Sequence, residues 1–226
     1  PAVAVVTSGG ARIQEGVLSL MQMAKTSIAA NRMNEAGLPF VTGMANPTTG
    51  QAYGSFANLA DIILGEPGAI VGFSSFRMIE RASELPLPTE SHTAESRLKH
   101  GLMDAVVDRP ELRTILGVLL DLLGPRYTLI RASGAKRESS DVLRAQAWNS
   151  VQLSRHHSRP NSSDYIARIF ENFVELHGDR SYGDDGAIVS GIGHLGGQTV
   201  VIIGQQGDRE DDPVERRQGR TSPEGF

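Results

Sequence analysis

The chain has no cysteine among its 226 residues, which removes disulfides and thiolate metal sites together. No stretch approaches the roughly 18 consecutive apolar residues of a membrane-crossing helix. The chain opens on Pro1-Ala2-Val3 with neither a charged leader region nor a cleavage site, so the expected compartment is the cytoplasm. Charge of one sign is not concentrated anywhere. The 22 Lys and Arg against 26 Asp and Glu give a net charge of -4, which argues against a nucleic-acid surface, and no basic block exists to hold an anionic membrane. His92, His100, His177 and His194 show no ligand spacing and His156-His157 are direct neighbours, so no metal site is expected. Lys25-Thr26 lacks the preceding glycines of a phosphate loop, and Gly72-Phe73-Ser74-Ser75-Phe76 has Phe76 where a nucleophile elbow needs glycine.

What is present begins at the amino-terminal end. The apolar run Ala2 to Val6 leads into Ser8-Gly9-Gly10-Ala11-Arg12-Ile13-Gln14-Glu15-Gly16 and then into a long amphipathic stretch. A glycine pair where a strand turns into a helix serves first as a turn with special dihedrals. The same junction also presents backbone N–H groups without internal partners, at the positive end of a helix macrodipole, and can hold an oxygen gaining negative charge. Glycine lets a substrate carbonyl come close to the backbone, and each well-aimed donor there is worth roughly 3 to 4 kcal/mol of barrier.

The periodicity predicts alternating strands and helices. Ala2 to Val6 reads as a buried strand, followed by a helix with Ile13, Val17, Leu20, Met21, Ala24 and Ile28 on its inward face and a stop at Gly37. Phe40 to Met44 is a second strand that enters the loop Asn46-Pro47-Thr48-Thr49-Gly50. Tyr53 to Leu59 reads as a short helix, Ile62 to Leu64 and Ile70 to Phe73 as short strands, and 90–101 and 110–123 as helices with Val106-Val107 extended between them. Residues 124–146 read as a linker. Asp164 is the expected N-cap of a helix that buries Tyr165, Ile166, Ile169, Phe170, Phe173 and Leu176 and ends at Gly178. Residues 187–195 and 198–204 form a predicted hairpin around Gly196-Gly197.

Longer motifs carry a family resemblance. Ser8 to Gly16, Leu18 to Ser27, Asn46 to Gly50 and Glu66 to Phe73 resemble the carboxyltransferase β subunit of bacterial acetyl-CoA carboxylase. Ala147 to His156, Asp164 to Phe170, Phe173 to Arg180 and Tyr182 to Asp185 look like the start of the α subunit of the same enzyme. The resemblance implies a fused β/α arrangement, with 1–123 as the later part of a β-type domain, 124–146 as linker and 147–226 as the first part of an α-type domain. It implies an α/β fold of the crotonase-like (ClpP/crotonase) class, a spiral of ββα units with the start of a second such domain. The cysteine-rich zinc ribbon usual in the family's β subunit has no counterpart in this sequence.

By the resemblance, carboxybiotin on a biotin carboxyl carrier protein delivers its carboxyl group to acetyl-CoA, giving malonyl-CoA for fatty-acid synthesis, with a biotin carboxylase in the wider complex. Biotin supplies the base, so the protein's task is to hold enolates by backbone donors and proximity. Gly9 and Gly10 match the glycine pair that binds the thioester oxygen. Arg12, Lys25 and Arg77 are candidates for the CoA phosphates by charge and by nearness to strand ends, although a solvated surface position is the plainer reading of each. Thr49 and Gly50 sit in a second strand-to-helix loop, where Gln51 replaces the second glycine of the family pattern. Ser74-Ser75-Phe76 replaces the usual Gly-Pro before Arg77, and Gln206 stands where a lysine commonly precedes Gly207. The biotin-side donors are expected beyond the point matching Phe226, and an oligomer is expected. A propionyl-CoA or other acyl-CoA carboxyltransferase, a biotin-independent crotonase-type enzyme using Glu15, and a truncated interaction module without activity are the alternatives.

Overall fold

The computed structural model describes residues 1–74, 81, 90–124, 152, 156 and 160–206. These fall into two compact units. The first is Pro1–Gly124 together with Leu176–Asp184, and the second takes the described residues from 152 to 175 and from 185 onward. Apart from Gly124, the expected linker lies outside the described residues.

The first unit is built on a parallel sheet. Strands β1 (Ala2–Gly9), β2 (Phe40–Thr49), β3 (Ile62–Gly65) and β5 (Ala105–Val106) lie in the order β1-β2-β3-β5, and β4 (Val71–Gly72) pairs with the far end of β2. Helices α1 (Val17–Glu35), α2 (Ala94–Lys99) and α3 (Arg109–Leu122) follow β1, β4 and β5. A strand of a parallel sheet is covered on both faces and reads as a continuous apolar run. Ile62-Ile63-Leu64 obeys this, with Ile63 fully buried, and so does β2, with Val41 and Met44 in the core. The same rule misleads for β1. Its run of apolar residues predicts a buried strand, yet Val5 is 64% exposed and Val6 is its only buried residue. It stands at the end of the strand order, pairing among the described residues with β2, and the more and less exposed side chains alternate along it, so one of its two faces meets the core.

Helix α1 turns a different face inward from the one its apolar residues predict. Val17, Leu20, Met21, Ala24 and Ile28 are exposed, while Ser19, Met23, Thr26, Ser27, Ala30 and Met33 face the sheet side. The inward set follows helical spacing as well as the predicted one does. Its small side chains allow close packing: Ala30 joins Phe40, Ala57 and Ala60 in the core cluster, with Met33 against it. The expected helix over 53–59 is a short 3-10 turn, Phe56–Leu59. Helix α2 begins at a Thr93 cap whose hydroxyl accepts from the Ser96 amide, and α3 matches its predicted span to one residue.

In the second unit, α4 (Ser162–Ile169) precedes an antiparallel sheet of β6 (Glu171–Glu175), β7 (Ile188–Leu195) and β8 (Gln198–Gln205). The N-cap of α4 is Asn161, not Asp164. Asp164 stands three residues into the capping box, its carboxylate accepting from the Asn161 amide while the Asn161 side chain accepts from the Asp164 amide. The predicted longer helix stops at Ile169. Phe173 and Val174 belong to β6, whose pairing with β7 overrides the helical spacing, and Tyr165 and Ile169 are half exposed. The β7–β8 turn has positive φ at both Gly196 and Gly197, as a two-residue hairpin requires. Ile166, Val189 and Ile202 form this unit's core, with Phe170, Phe173 and Val200 packed on it.

Candidate functional site

The ends of β1 and β2 lie side by side, with Ser8 opposite Thr48 and Gly9 opposite Thr49. Side-chain hydroxyls fasten this junction: Thr48 Oγ1 donates to the Val6 carbonyl at 2.8 Å and Thr49 Oγ1 to the Ser8 carbonyl at 3.1 Å. The chain then turns at Gly10 (φ 104°) and at Gly50 (φ 70°). A Cβ on Gly50 would stand 2.7 Å from Gly10 Cα, closer than any real side chain could sit, so glycine at 50 is what lets the two loops touch. The Gly50 amide donates to the Gly72 carbonyl at 3.1 Å, adding the end of β4. Gly9 and Gly10 themselves are exposed, and the space beside each is clear to 4 Å. The Gly10 amide donates to Ser8 Oγ at 3.2 Å, a side-chain hydroxyl that an incoming oxygen can replace.

The structure thus brings Gly9, Gly10, Thr49 and Gly50 together. Helix α1, however, does not start at the glycine pair. A 3-10 turn at Ile13–Glu15 intervenes and α1 begins at Val17, after Gly16 with φ 54°. The helix dipole therefore acts at Val17, and any donor at the corner is a strand-end amide. Arg12 is 83% exposed, 3.9 Å from the Glu15 carboxylate. Lys25 lies on an exposed part of α1, about 12 Å along the axis from its start. Arg77 lies outside the described residues. Gln51, in the place of the family's second glycine, accepts a hydrogen bond from Ser19 Oγ at 2.6 Å and so ties the second loop to α1.

Sequence reasoning missed the neighbours of Gly72. The Arg97 guanidinium donates through Nε to the Val71 carbonyl at 3.1 Å and stands 5.5 Å from the centre of the Tyr53 ring. A Cβ on Gly72 would meet His92 at 2.9 Å and Arg97 at 3.0 Å. Burial, then the Arg97 charge, pushes the His92 imidazole below its usual range. Arg97 also lines a cleft of about 970 Å³ that runs past Glu90, Thr93 and His100. Nothing in the local pattern pairs Arg97 with Tyr53, because the fold alone joins positions so far apart in sequence.

Comparison with known proteins bears on this geometry. A sequence model of the family described as acetyl co-enzyme A carboxylase carboxyltransferase-like matches residues 129–226. Over its whole length the chain is 44% identical to the acetyl-coenzyme A carboxylase carboxyl transferase subunits beta/alpha of Clostridium tetani, covering 40% of that protein. The corresponding protein of Natranaerobius thermophilus is 41% identical, again over all of this chain and 41% of its own length. Over its whole length the chain is similar to the fused beta/alpha carboxyl transferase subunits of acetyl-CoA carboxylase.

A β subunit of this carboxyltransferase family, from Hydrogenobaculum, is 52% identical over 123 residues, which are 54% of this chain and 45% of that protein. The chain spans about 40% of the length of the fused carboxyltransferase relatives. Among solved structures, the transcarboxylase 12S hexamer core matches with TM-score 0.66 at 22% identity, covering 90% of this chain and 39% of that one. A single-chain, multi-domain long-chain acyl-CoA carboxylase matches with TM-score 0.59 at 17% identity, covering 89% of this chain and 19% of that one. The fold is α/β and crotonase-like, as the resemblance implied. Among the described residues no helix is long and apolar enough to cross a membrane, and no group of three or more potential metal ligands occurs.

Proposed function

We propose that this chain supplies the acyl-CoA side of the carboxyltransferase reaction of acetyl-CoA carboxylase, in which acetyl-CoA becomes malonyl-CoA for fatty-acid synthesis. The observation that carries the reading is the open corner at Gly9 and Gly10, set at the joined ends of two parallel strands, where Gly50 lets the second loop touch Gly10. In this reading the Gly9 and Gly10 amides receive the thioester oxygen. As the methyl group loses its proton that oxygen gains charge, and donors already fixed in place stabilise it without reorganising; each is worth roughly 3 to 4 kcal/mol. The Ser8 hydroxyl holds the Gly10 amide until the substrate oxygen replaces it. Thr49 and Gly50 form the neighbouring wall, and Arg12, Lys25 and Arg77 are the cations proposed for the CoA phosphates.

Carboxybiotin, borne by a biotin carboxyl carrier protein, supplies the activated carboxyl group and the base when it is bound. Nothing among the described residues is assigned to the biotin side. We take residues 1–123 as β-type, 124–146 as linker and 147–226 as α-type, working as an oligomer in the cytoplasm beside a biotin carboxylase.

Titration of the isotopically labelled chain with acetyl-CoA tests the site. The Gly9 and Gly10 amide resonances are expected to shift together and saturate, with CoA lacking the acyl group moving them less, and Gly10→Ala is expected to abolish the response. Shifts confined to Arg12 and Lys25, or no shifts from a folded chain, reject the assignment. Formation of malonyl-CoA from acetyl-CoA and a carboxylated carrier protein tests the full reaction.

A further inference from the structure

The segment Leu176–Asp184 lies in the half of the sequence that resembles the α subunit, yet it is part of the first compact unit. The contacts that place it there are specific. The Arg180 amide donates to the Gly101 carbonyl at 2.8 Å and the His177 amide to the Asp104 carbonyl at 3.2 Å. The Arg180 guanidinium forms an ion pair with the Asp104 carboxylate, whose side chain is only 8% exposed. That carboxylate also accepts from the Ile63 amide at 2.7 Å, so the same group is joined to the core strand β3. Backbones meet without intervening side chains: a Cβ on Gly178 would stand 2.5 Å from the Gly101 carbonyl oxygen.

Two features indicate a loop shaped for this place. Arg180 has φ 61°, a left-handed conformation that a non-glycine residue keeps only where its surroundings fix it. Asp179 Oδ1 accepts from the amides of Ser181, Tyr182 and Gly183 at 2.8 to 3.1 Å, so the turn arrives internally braced. Burial raises the Asp104 carboxyl above its usual range, while the bonds from Ile63 and Arg180 pull the other way. Without its arginine, the socket would hold a buried carboxylate that has lost its countercharge.

We infer that the surface formed by Asp61, Gly101 and Asp104 is a recognition socket for the chain's own Gly-Asp-Arg turn at 178–180, with the Arg180 guanidinium as its key. The Asp61 carbonyl, 3.5 Å from Arg180 Nη2, completes the rim. The site is separate from the diglycine corner and stands whether or not that corner binds a thioester. It commits the first unit to a partner of defined chemistry, a left-handed turn presenting one arginine, and the partner is supplied within the same polypeptide.

Hydrogen exchange on the full chain tests the socket. In the unaltered protein the amides of residues 177 and 180 are expected to be protected. In Arg180→Ala they should exchange at least tenfold faster, with the β7 and β8 amides unchanged. A synthetic peptide of residues 174–186 added to the Arg180→Ala chain should bind and return the Ile63 amide resonance, whose acceptor is the Asp104 carboxylate, to its position in the unaltered protein, and the same peptide carrying Arg180→Ala should not. Free-peptide exchange at 177 and 180 in the unaltered chain overturns the inference, a result that needs no variant to fold. Unchanged protection in Arg180→Ala also overturns it. Protection that disappears on dilution assigns the turn to a second copy and overturns the intramolecular arrangement.

Discussion

Gly50 carries the tightest local constraint in the candidate site, because both its left-handed φ of 70° and the 2.7 Å separation from Gly10 Cα exclude a side chain. Gly50→Ala is expected to destabilise the chain by about 1 to 3 kcal/mol, read from urea unfolding, and to displace the Gly10 resonance even without ligand. A different residue-scale prediction concerns Glu66. Its carboxylate takes Arg109 Nε at 2.6 Å and Nη2 at 2.9 Å, and this bond, more than the amide of Asn46, holds its pKa below the usual range against a smaller desolvation effect. Because the folded value is depressed, the stabilisation is present above the unfolded pKa and is lost as pH falls through the folded one. Glu66→Gln should therefore lower the Tm slightly at pH 7 and leave it unchanged in acid, a difference measurable by calorimetry at the two pH values. The effect is small because Arg109 is largely exposed. At this scale the glycines of the corner were legible, since left-handed turns select glycine. Arg97 and His92 were not, since only tertiary packing brings them to Gly72.

Among the elements, strands buried on both faces were the most legible and α1 the least. Its sequence offers two helical stripes, and hydrophobicity points to the stripe that the described structure leaves exposed. Apolar content measures the wish to be covered, whereas the sheet selects whichever face packs closely, here one built from Ser19, Ala30 and their neighbours. The contrast gives a paired prediction. Ile63→Ala in β3 should cost about 2 to 5 kcal/mol, and Leu20→Ala, whose side chain is 57% exposed, should stay within about 0.5 kcal/mol. Equal losses in denaturant titrations would restore the predicted face. The stretch 164–178 was read as one helix because Phe170, Phe173 and Leu176 fall near helical spacing. Strand pairing to β7 claims Phe173 and Val174 instead, an outcome set by a partner that a local window does not contain.

At the scale of the molecule, the family resemblance and fold class were legible from long motifs, while the place of Leu176–Asp184 in the first unit was not, because a docking segment carries no periodic signal. Residues Leu176–Asp184 contribute to the first unit although chain on both sides of them belongs to the second. Connectivity and spatial membership therefore differ. A single backbone cleavage introduced between 125 and 159 would break the covalent thread without releasing either piece, because the carboxy-terminal fragment would still have its stitch through the amino-terminal one. The nicked protein should run as one species on a native column and as two bands after denaturation, and co-elution should fail in Arg180→Ala.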